Sequence, residues 1–476
     1  MEKQKLFSIS CGIAGAMVAC SCAQQPEAEW KQSPNVIYIL ADDLGIGDIS
    51  PYGQNLIKTP NLQRMSDEGM RFTQCYSGTS VSAPSRASLM TGQHTGHTYI
   101  RGNMRMDPEG QVAMPAGTYT IAELFHEAGY ATGCFGKWGL GYPGSESDPT
   151  KVGFDEFLGY NCQTLAHDYY PDHLWDGTKR VEFPENYNQA EGTYSADLIH
   201  NRALQYIRSH AGEKFFAYLS YTLPHAELVL PKDSVYQSYC NLIPAKDDEA
   251  WAEQNPNRRG AYGAAERPLA AFASMVTRLD KYVGEIMELL AELGIDDNTI
   301  VVFTSDNGPH REGGANPDYF KSYGPYRGVK RDLYEGGIRM PMIIRCPNHI
   351  TNDHIMAFWD MMPTFAELTG TTRDIQTDGI SFLPTLLGKG KQKEHEYLYW
   401  EFHEKGGRQA LRYGNWKGVR LFVGCPEKTT FELYDLSKDI HEDNDVSEQY
   451  PEMVKKIETL MQGARTESEL FDFSRM

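Results

Sequence analysis

Apolar residues along the chain form short continuous runs, which alternate with longer segments where apolar residues recur at helical spacing. Continuous apolar runs are typical of strands that are buried on both faces of a parallel sheet. The alternation of such strands with helices predicts an α/β fold, with a large, mostly parallel sheet flanked by helices. The predicted strands are 35–41, 131–135, 214–222, 298–304 and 342–345, and the predicted helices are 61–68, 120–128, 195–210 and 268–293.

The pattern changes after a Gly- and Lys-rich linker at 388–393. Short, closely spaced strands beyond it predict a small antiparallel sheet with one helix packed on it. We therefore divide the chain into an N-terminal domain over 33–388 and a C-terminal subdomain over 389–476. The predicted C-terminal elements are strands at 397–402, 408–412, 416–421 and 431–434 and a helix at 451–461.

The N-terminus has the pattern of an export signal. Residues 1–5 are polar and carry two lysines, and residues 6–19 are apolar and uncharged, a run too short to span a bilayer. The following Cys20 completes a segment that resembles a bacterial lipobox. We predict a signal peptide over 1–19 and an exported protein, either periplasmic or anchored to the outer membrane through a lipidated Cys20. Cleavage near Ala23 is the alternative, and membrane contact is expected only through the anchor.

The charge balance limits the partners of the protein. The chain has 45 Lys and Arg against 64 Asp and Glu, a net charge of −19. Such an acidic protein is a poor binder of nucleic acid or of an anionic membrane, so neither is expected as a partner. An anionic ligand would have to bind at a local cluster of cations.

Two acidic pairs follow two of the predicted buried strands. Asp42 and Asp43 come directly after strand 35–41, while Asp306 and Asn307 follow strand 298–304. Ligands of open α/β sheets bind beyond the carboxyl ends of the strands, where these side chains would meet. Hard oxygen ligands favour Ca²⁺ or Mg²⁺. Each pair alone reads as an ordinary turn, but together they predict a metal site.

A third feature is the segment 82–92, which reads SAPSRASLMTG. It predicts a helix with Ser82 as its N-cap and Gly92 as its stop. Ser82 would lie in the positive field of a helix N-terminus, one turn before Arg86. This field suits an anion or a negatively charged transition state.

The residues of this segment and five other motifs resemble, in the same order, the formylglycine-dependent sulfatases in their serine form. The resemblance covers nearly the whole chain after the signal and implies an alkaline-phosphatase-like fold. It also implies hydrolysis of a carbohydrate sulfate ester, such as a galactose or N-acetylgalactosamine sulfate, to an alcohol and inorganic sulfate. The other motifs are Pro34-Asn35-Val36 running into Leu40-Ala41-Asp42-Asp43-Leu44-Gly45, then Gly136-Lys137-Trp138, Pro224-His225, Ser305-Asp306-Asn307-Gly308, and Arg327-Gly328-Val329-Lys330 with the block from Tyr334 to Pro341.

The resemblance also implies a role for each matched residue. A separate maturation enzyme would oxidise Ser82 to formylglycine (3-oxoalanine), whose hydrate supplies the nucleophile. Arg86 would steady that residue, and His225 would protonate the leaving oxygen. Lys137 and Lys330 would contact the sulfate oxygens. One Ca²⁺ ion would be bound by Asp42, Asp43, Asp306, Asn307 and an oxygen of residue 82.

One position departs from the family pattern. Gly139 stands where the family usually has a histidine that helps to release sulfate, so the base for that step is in question. His94, His97 and His310 are the candidates by position.

Further side chains are predicted to contact the substrate. The segment 166–175 is rich in His, Asp and aromatic residues, which suits sugar binding, although a packed surface loop reads equally well. The residues Tyr399, Glu401 and His403 alternate onto one face of their strand, which we interpret as an exposed polar face. The predicted substrate contacts are His97, Arg101, His167, His173 and His310.

Two other function classes remain open. A phosphatase or phosphodiesterase of the same superfold would prefer two zinc ions with several histidine ligands. A non-catalytic binder of sulfated glycans is suggested by Gly139 and by the need to mature Ser82.

Overall fold

A computed structural model describes residues 33–252, 262–345 and 351–475. The predicted signal peptide over 1–19 and the predicted lipidation site at Cys20 lie outside these ranges and stay predictions. Within the ranges, no helix combines the length and the apolar character that a membrane span requires.

The strands of the N-terminal domain match the predicted runs and add several that the pattern did not indicate. In chain order they are β1 (Asn35–Ala41), β2 (Met70–Tyr76), β3 (Arg105–Met106), β4 (Gly110–Gln111), β5 (Ala131–Lys137), β6 (Glu156–Tyr160), β7 (His173–Asp176), β8 (Lys179–Glu182), β9 (Phe215–Ser220), β10 (Thr299–Ser305), β11 (Arg339–Arg345), β12 (Thr351–Asn352) and β13 (Met356–Ala357).

All of these strands except the β3–β4 hairpin belong to one large sheet. Its order is β12-β2-β11-β10-β1-β9-β5-β6-β7-β8, and β13 pairs with β2. The centre, from β10 to β6, is parallel, whereas β11, β2, β7 and β8 add antiparallel pairs. The predicted mixed, mostly parallel sheet is therefore confirmed.

Helices cover both faces of this sheet. Along β1, Ile37 and Ile39 face a core that includes residues of α1, α4 and α6, while Tyr38 and Leu40 face a core that includes α2, α3 and α9. The helices are α1 (Pro60–Asp67), α2 (Ser82–Thr91), α3 (Ile121–Glu127), α4 (Ser195–Ser209), α5 (Ser234–Leu242), α6 (Pro268–Leu293), α7 (Pro317–Phe320), α8 (Glu335–Ile338), α9 (Met361–Thr369) and α10 (Leu383–Leu387).

The C-terminal elements form the predicted antiparallel sheet with one helix. One face of the sheet packs on the N-terminal domain through Trp400, which lies among Tyr76 and Trp359. The other face packs against Ile457 and Met461 of the helix. The elements are β14 (Leu398–Phe402), β15 (Arg408–Tyr413), β16 (Trp416–Leu421), β17 (Thr430–Asp435) and α11 (Pro451–Gly463).

The polar face predicted for β14 is not exposed. Glu401 has no exposed surface, because Arg101 and Arg465 both form ion pairs with its carboxylate. His403 Nε2 donates to the same carboxylate, at 2.8 Å from Oε1. Alternation along the strand was correct, but Arg101 and Arg465, from distant parts of the chain, cover this face.

Candidate active site

The two predicted acidic pairs meet at the carboxyl edge of the sheet. The strands β1 and β10 are parallel neighbours, with Ala41 opposite Ser305, so the residues that follow them emerge at one level. The backbone N–H of Asp43 donates to Asp306 Oδ1 at 3.1 Å, and Asn307 Nδ2 donates to Asp43 Oδ1 at 2.6 Å. The two pairs thus form a single buried cluster.

The charges of this cluster fit a bound cation. Burial and the nearby Asp42 carboxylate raise the pKa of Asp306 to about 6. Burial opposes ionisation of Asp42 as well, but Lys137 holds the pKa of that carboxyl well below its usual range. The Asn307 Oδ1 atom is buried and accepts no hydrogen bond from any described residue. Crowded carboxylates beside an unpartnered amide oxygen are the ligands that a hard divalent cation prefers.

Helix α2 directs Ser82 towards this cluster. Val81, in extended conformation, is the N-cap, and Ser82 is the first helical residue, so the predicted N-cap role of Ser82 is wrong. Its hydroxyl is not needed for capping because it donates to Asp42 Oδ1 at 3.1 Å. The helix ends at Gly92 with a φ of +70°, as predicted.

Arg86 lies one turn further along α2 and is fully buried. Its Nη2 donates to Asp306 Oδ2 at 2.8 Å, and its Nη1 donates to the carbonyl oxygen of Lys137 at 3.0 Å and to the Ser220 hydroxyl. The planar guanidinium therefore fixes the Asp306 carboxylate. The contact with residue 82 that the resemblance implies is not among these bonds.

Lys137 ends strand β5 beside the Ser82 hydroxyl. Its Nζ lies 2.6 Å from Asp42 Oδ2 and 3.4 Å from Ser82 Oγ. Burial lowers the pKa of this lysine, although Asp42 opposes the change. The structure places an amine directly at the predicted nucleophile.

Lys330 and His225 lie together at the carboxylate of Asp43. Lys330 Nζ donates to Asp43 Oδ2 at 2.8 Å and contacts His225 Nε2 at 3.0 Å. Burial and the Lys330 charge lower the pKa of His225 well below its usual value, whereas Asp43 raises that of Lys330 against the effect of burial.

Two other predicted histidines stack on His225. The rings of His167 and His225 are 5.0 Å apart at 12°, and those of His225 and His310 are 5.6 Å apart at 21°. His310 is buried, and its Nε2 contacts the Pro224 carbonyl oxygen at 3.2 Å. Both rings therefore pack on the imidazole of His225, and substrate contact by His167 or His310 stays a prediction.

The remaining predicted histidines are held by carboxylates elsewhere. His97 Nδ1 lies 2.8 Å from Asp378 Oδ1 and lines a cavity of about 440 Å³. His173 lies between Asp172 and Glu109 and lines a second cavity, of about 640 Å³. Burial opposes protonation of His173, but its hydrogen bonds to these two carboxylates raise its pKa. Substrate contact by either histidine stays a prediction.

Arg101, predicted to contact the substrate, borders the same cavity as His97 and is bound by protein groups. The side chain is only 2% exposed, and its guanidinium donates to Glu401 Oε1 at 3.1 Å and to the Thr466 carbonyl oxygen at 2.9 Å. These partners lie 300 and 365 residues further along the chain, so no local pattern indicates them. Arg101 joins distant parts of the chain, and substrate contact by this residue stays a prediction.

Replacing Arg101 by leucine tests this role. We expect the free energy of unfolding to fall by about 3 kcal/mol, because the change breaks a buried ion pair. Urea unfolding measures the loss. Arg105→Leu is the control: Arg105 and Asp107 form an exposed pair at 3.2 Å, so its loss costs less than about 1 kcal/mol. A stable Arg101→Leu variant that binds sugar more weakly would instead indicate that Arg101 contacts the substrate.

Sequence reasoning missed three polar residues near the site. Glu312 contacts His310, and the exposed Asn103 accepts a hydrogen bond from the backbone N–H of Ala83 at the start of α2. Gln163 packs against Gly139. None of them belongs to a motif, and only their proximity in the fold reveals them.

Comparison with known proteins identifies the family. The Sulfatase family profile matches residues 34–371, and the profile of the N-sulphoglucosamine sulphohydrolase C-terminal region matches residues 326–467. The N-acetylgalactosamine-6-O-sulfatase of Bacteroides thetaiotaomicron is 28% identical, over 97% of this chain and 99% of its own length. The human N-acetylgalactosamine-6-sulfatase is 32% identical, over 78% and 68% respectively.

Solved structures agree with this result. The structure of Ps i-CgsB in complex with k-i-k-neocarrahexaose is 28% identical, with a TM-score of 0.73 over 90% of this chain and 93% of its own. A Bacteroides thetaiotaomicron protein, described with the metabolism of multiple glycosaminoglycans, is 27% identical, with a TM-score of 0.72 over 92% and 100%. A family profile that spans most of the chain, on the fold and site described above, shows that the protein belongs to the sulfatase family and is a sulfuric ester hydrolase.

Proposed function

We propose that this sulfatase hydrolyses a sulfate ester of a carbohydrate, using a nucleophile made from Ser82. The observation that carries the proposal is the position of the Ser82 hydroxyl, 3.1 Å from Asp42 Oδ1 and 3.4 Å from Lys137 Nζ. Attack on an anionic ester needs positive charge near the nucleophile. Lys137 supplies one such charge, and the carboxylate cluster could bind a metal cation that supplies more.

Ser82 is the residue to be matured in this proposal. Oxidation of its primary alcohol to formylglycine removes two electrons and two protons, which a separate maturation enzyme has to accept. A plain serine hydroxyl is a weak nucleophile. The hydrated aldehyde, once formed, supplies the attacking oxygen and a second hydroxyl that lets sulfate leave without attack of water on sulfur.

One Ca²⁺ ion is the proposed metal. The residues that would hold it are Asp42, Asp43, Asp306 and Asn307, together with an oxygen of residue 82. The buried, unpartnered Asn307 Oδ1 supports this set. Bound there, Ca²⁺ would neutralise charge on the transferring sulfuryl group.

The side chains around the cluster have separate tasks. Lys137 and Lys330 stabilise negative charge on the sulfate oxygens. His225 delivers a proton to the leaving oxygen, which would otherwise depart as an alkoxide. Lys330 Nζ lies 3.0 Å from His225 Nε2 and therefore holds the imidazole at the site.

The substrate class rests on the relatives. Two of them are named for N-acetylgalactosamine 6-sulfate, which favours a galactose or N-acetylgalactosamine sulfate here. The predicted signal peptide and the predicted lipidation site at Cys20 indicate that the enzyme is exported. It would act on such glycans in the periplasm or from an anchor in the outer membrane.

A panel of defined sugar sulfates tests the function. Protein co-expressed with a serine-type maturation enzyme is assayed on mono- and disaccharides sulfated at O2, O3, O4 or O6, with and without EDTA. We expect sulfate release from a sugar of galactose configuration and its loss with EDTA. Peptide mass analysis should show residue 82 lighter by two hydrogen atoms.

Two outcomes would contradict the proposal. Faster release of phosphate than of sulfate from matched aryl esters would indicate a phosphatase or phosphodiesterase. An unmodified Ser82 and no turnover, with retained binding of sulfated sugars, would indicate a glycan-binding protein.

A further inference from the structure

A glutamine side chain fills the space beside Gly139, two residues beyond Lys137. Gly139 has a φ of +75°, and a Cβ atom at this position would lie 2.2 Å from Gln163 Nε2. No other residue type fits here without displacing Gln163. The glycine therefore makes room for the amide of Gln163.

The amide nitrogen of Gln163 has no protein partner. The side chain is 8% exposed, and its Nε2 is buried without a hydrogen bond to any residue in the described ranges. An unpaired buried N–H group costs about 1–3 kcal/mol, so native proteins rarely keep one. A buried N–H group without an acceptor indicates a ligand whose acceptor atom would complete the hydrogen bond.

The location of Gln163 connects this donor with the active site. Strand β6 runs parallel to β5, with Tyr160 opposite Lys137, and the backbone N–H of Gly139 donates to the Asn161 carbonyl oxygen at 3.1 Å. The chain then passes through Gln163 to His167, whose ring stacks on His225. Gln163 therefore lies on the segment that links the Lys137 strand end to the proposed proton donor.

We propose that Gln163 is a substrate-binding residue, whose Nε2 donates a hydrogen bond to an oxygen of the substrate's sulfate group. The inference rests on the proposed function of the same site. Lys137, two residues before Gly139, brings positive charge to this strand end, and an anion oxygen can accept the N–H bond that no described protein atom accepts. A carboxamide does not titrate near neutral pH, so Gln163 binds sulfate and transfers no proton.

Two variants of Gln163 test this assignment. Gln163→Leu removes the donor at similar volume, and Gln163→Glu also adds a negative charge. Calorimetry on the matured, Ca²⁺-loaded protein measures the Kd for inorganic sulfate and for the desulfated sugar. We expect the sulfate Kd to rise about tenfold in the leucine variant, as for one lost hydrogen bond, and further in the glutamate variant. The Kd for the sugar should not change.

Gln409→Leu is the matched control. Gln409 is a buried glutamine of β15, and its Nε2 donates to the Tyr399 hydroxyl at 2.7 Å. Its loss should lower the thermal stability and leave the sulfate Kd unchanged. Circular dichroism and thermal unfolding verify that each variant is folded.

Three results would overturn the assignment. They are an unchanged sulfate Kd in folded Gln163→Leu protein, a change confined to the sugar Kd, and wild-type protein that binds no sulfate. Because the measurement is of binding, it tests Gln163 even if the wild-type protein releases no sulfate from any sugar. Sulfate binding without sulfate release would overturn the proposed function and leave the assignment of Gln163 in place.

Discussion

Replacing Ser82 by alanine should abolish sulfate release and leave the fold intact. The variant has no side-chain oxygen to oxidise, so neither the attacking oxygen nor the second hydroxyl can form. We expect kcat to fall at least about 10⁴-fold, because nucleophile variants retain only the catalysis that binding and electrostatics supply. The lost hydrogen bond to Asp42 should cost about 1 kcal/mol, since Lys137 still pairs with that carboxylate. Turnover of the best sugar sulfate and thermal unfolding measure the two effects.

Ser88→Ala is the matched control for this experiment. Ser88 is another buried serine of α2, and its hydroxyl donates to the Gln93 carbonyl oxygen, away from the carboxylates. This variant should keep kcat within a few-fold of the wild type. Undiminished turnover in Ser82→Ala would refute the proposed nucleophile.

Replacing Asp306 by asparagine should have the second largest effect. The change removes one charge from the proposed cation site and weakens the bond to Arg86 Nη2. We expect the Ca²⁺ affinity to fall at least about 100-fold and kcat to fall about 10²–10³-fold. Calorimetric titration with Ca²⁺ and steady-state kinetics in excess Ca²⁺ separate the two losses. Treatment of the wild type with EDTA should give the same loss of turnover, reversed by Ca²⁺.

Asp280→Asn provides a comparison at a distant buried aspartate. Asp280 accepts hydrogen bonds from the backbone N–H groups of Asn61 and Leu62, and burial raises its pKa to about 6. The variant changes stability but should keep the Ca²⁺ affinity of the wild type. An Asp306→Asn protein that binds Ca²⁺ normally would contradict the assignment of the metal site.

The sequence predicted the parts of the fold whose burial is uniform. β1 is buried along its whole length, and the matching apolar run 35–41 gave its bounds correctly. α6 begins at Pro268 and ends before Gly294, which adopts a φ of +67°. Proline at the start of a helix and glycine after its end are typical, so the sequence predicted both bounds. β2 was missed because partly buried polar residues, such as Arg71 and Gln74, interrupt its buried ones, so it forms no apolar run.

The site was predictable where chemistry lies at strand ends or in ordered motifs. Asp42 and Asp306 could be paired because parallel strands end at one edge of the sheet. The roles of Arg101 and Gln163 were not predictable, since they depend on which distant atoms surround each side chain. Arg101 forms an ion pair with Glu401, 300 residues away, and Gln163 Nε2 has no hydrogen-bond partner among the residues that the structure describes.

The bonds of Arg86 have a consequence for the thermodynamics of binding. One rigid side chain ties together the ends of β10, β5 and β9, through Asp306, the Lys137 carbonyl oxygen and Ser220. The three strand ends cannot separate without breaking bonds to a buried charge, so the Asp306 carboxylate, a proposed ligand, is held in place before any cation arrives. Little conformational entropy is then left to lose on binding, and the charges around a reacting ester need little reorganisation.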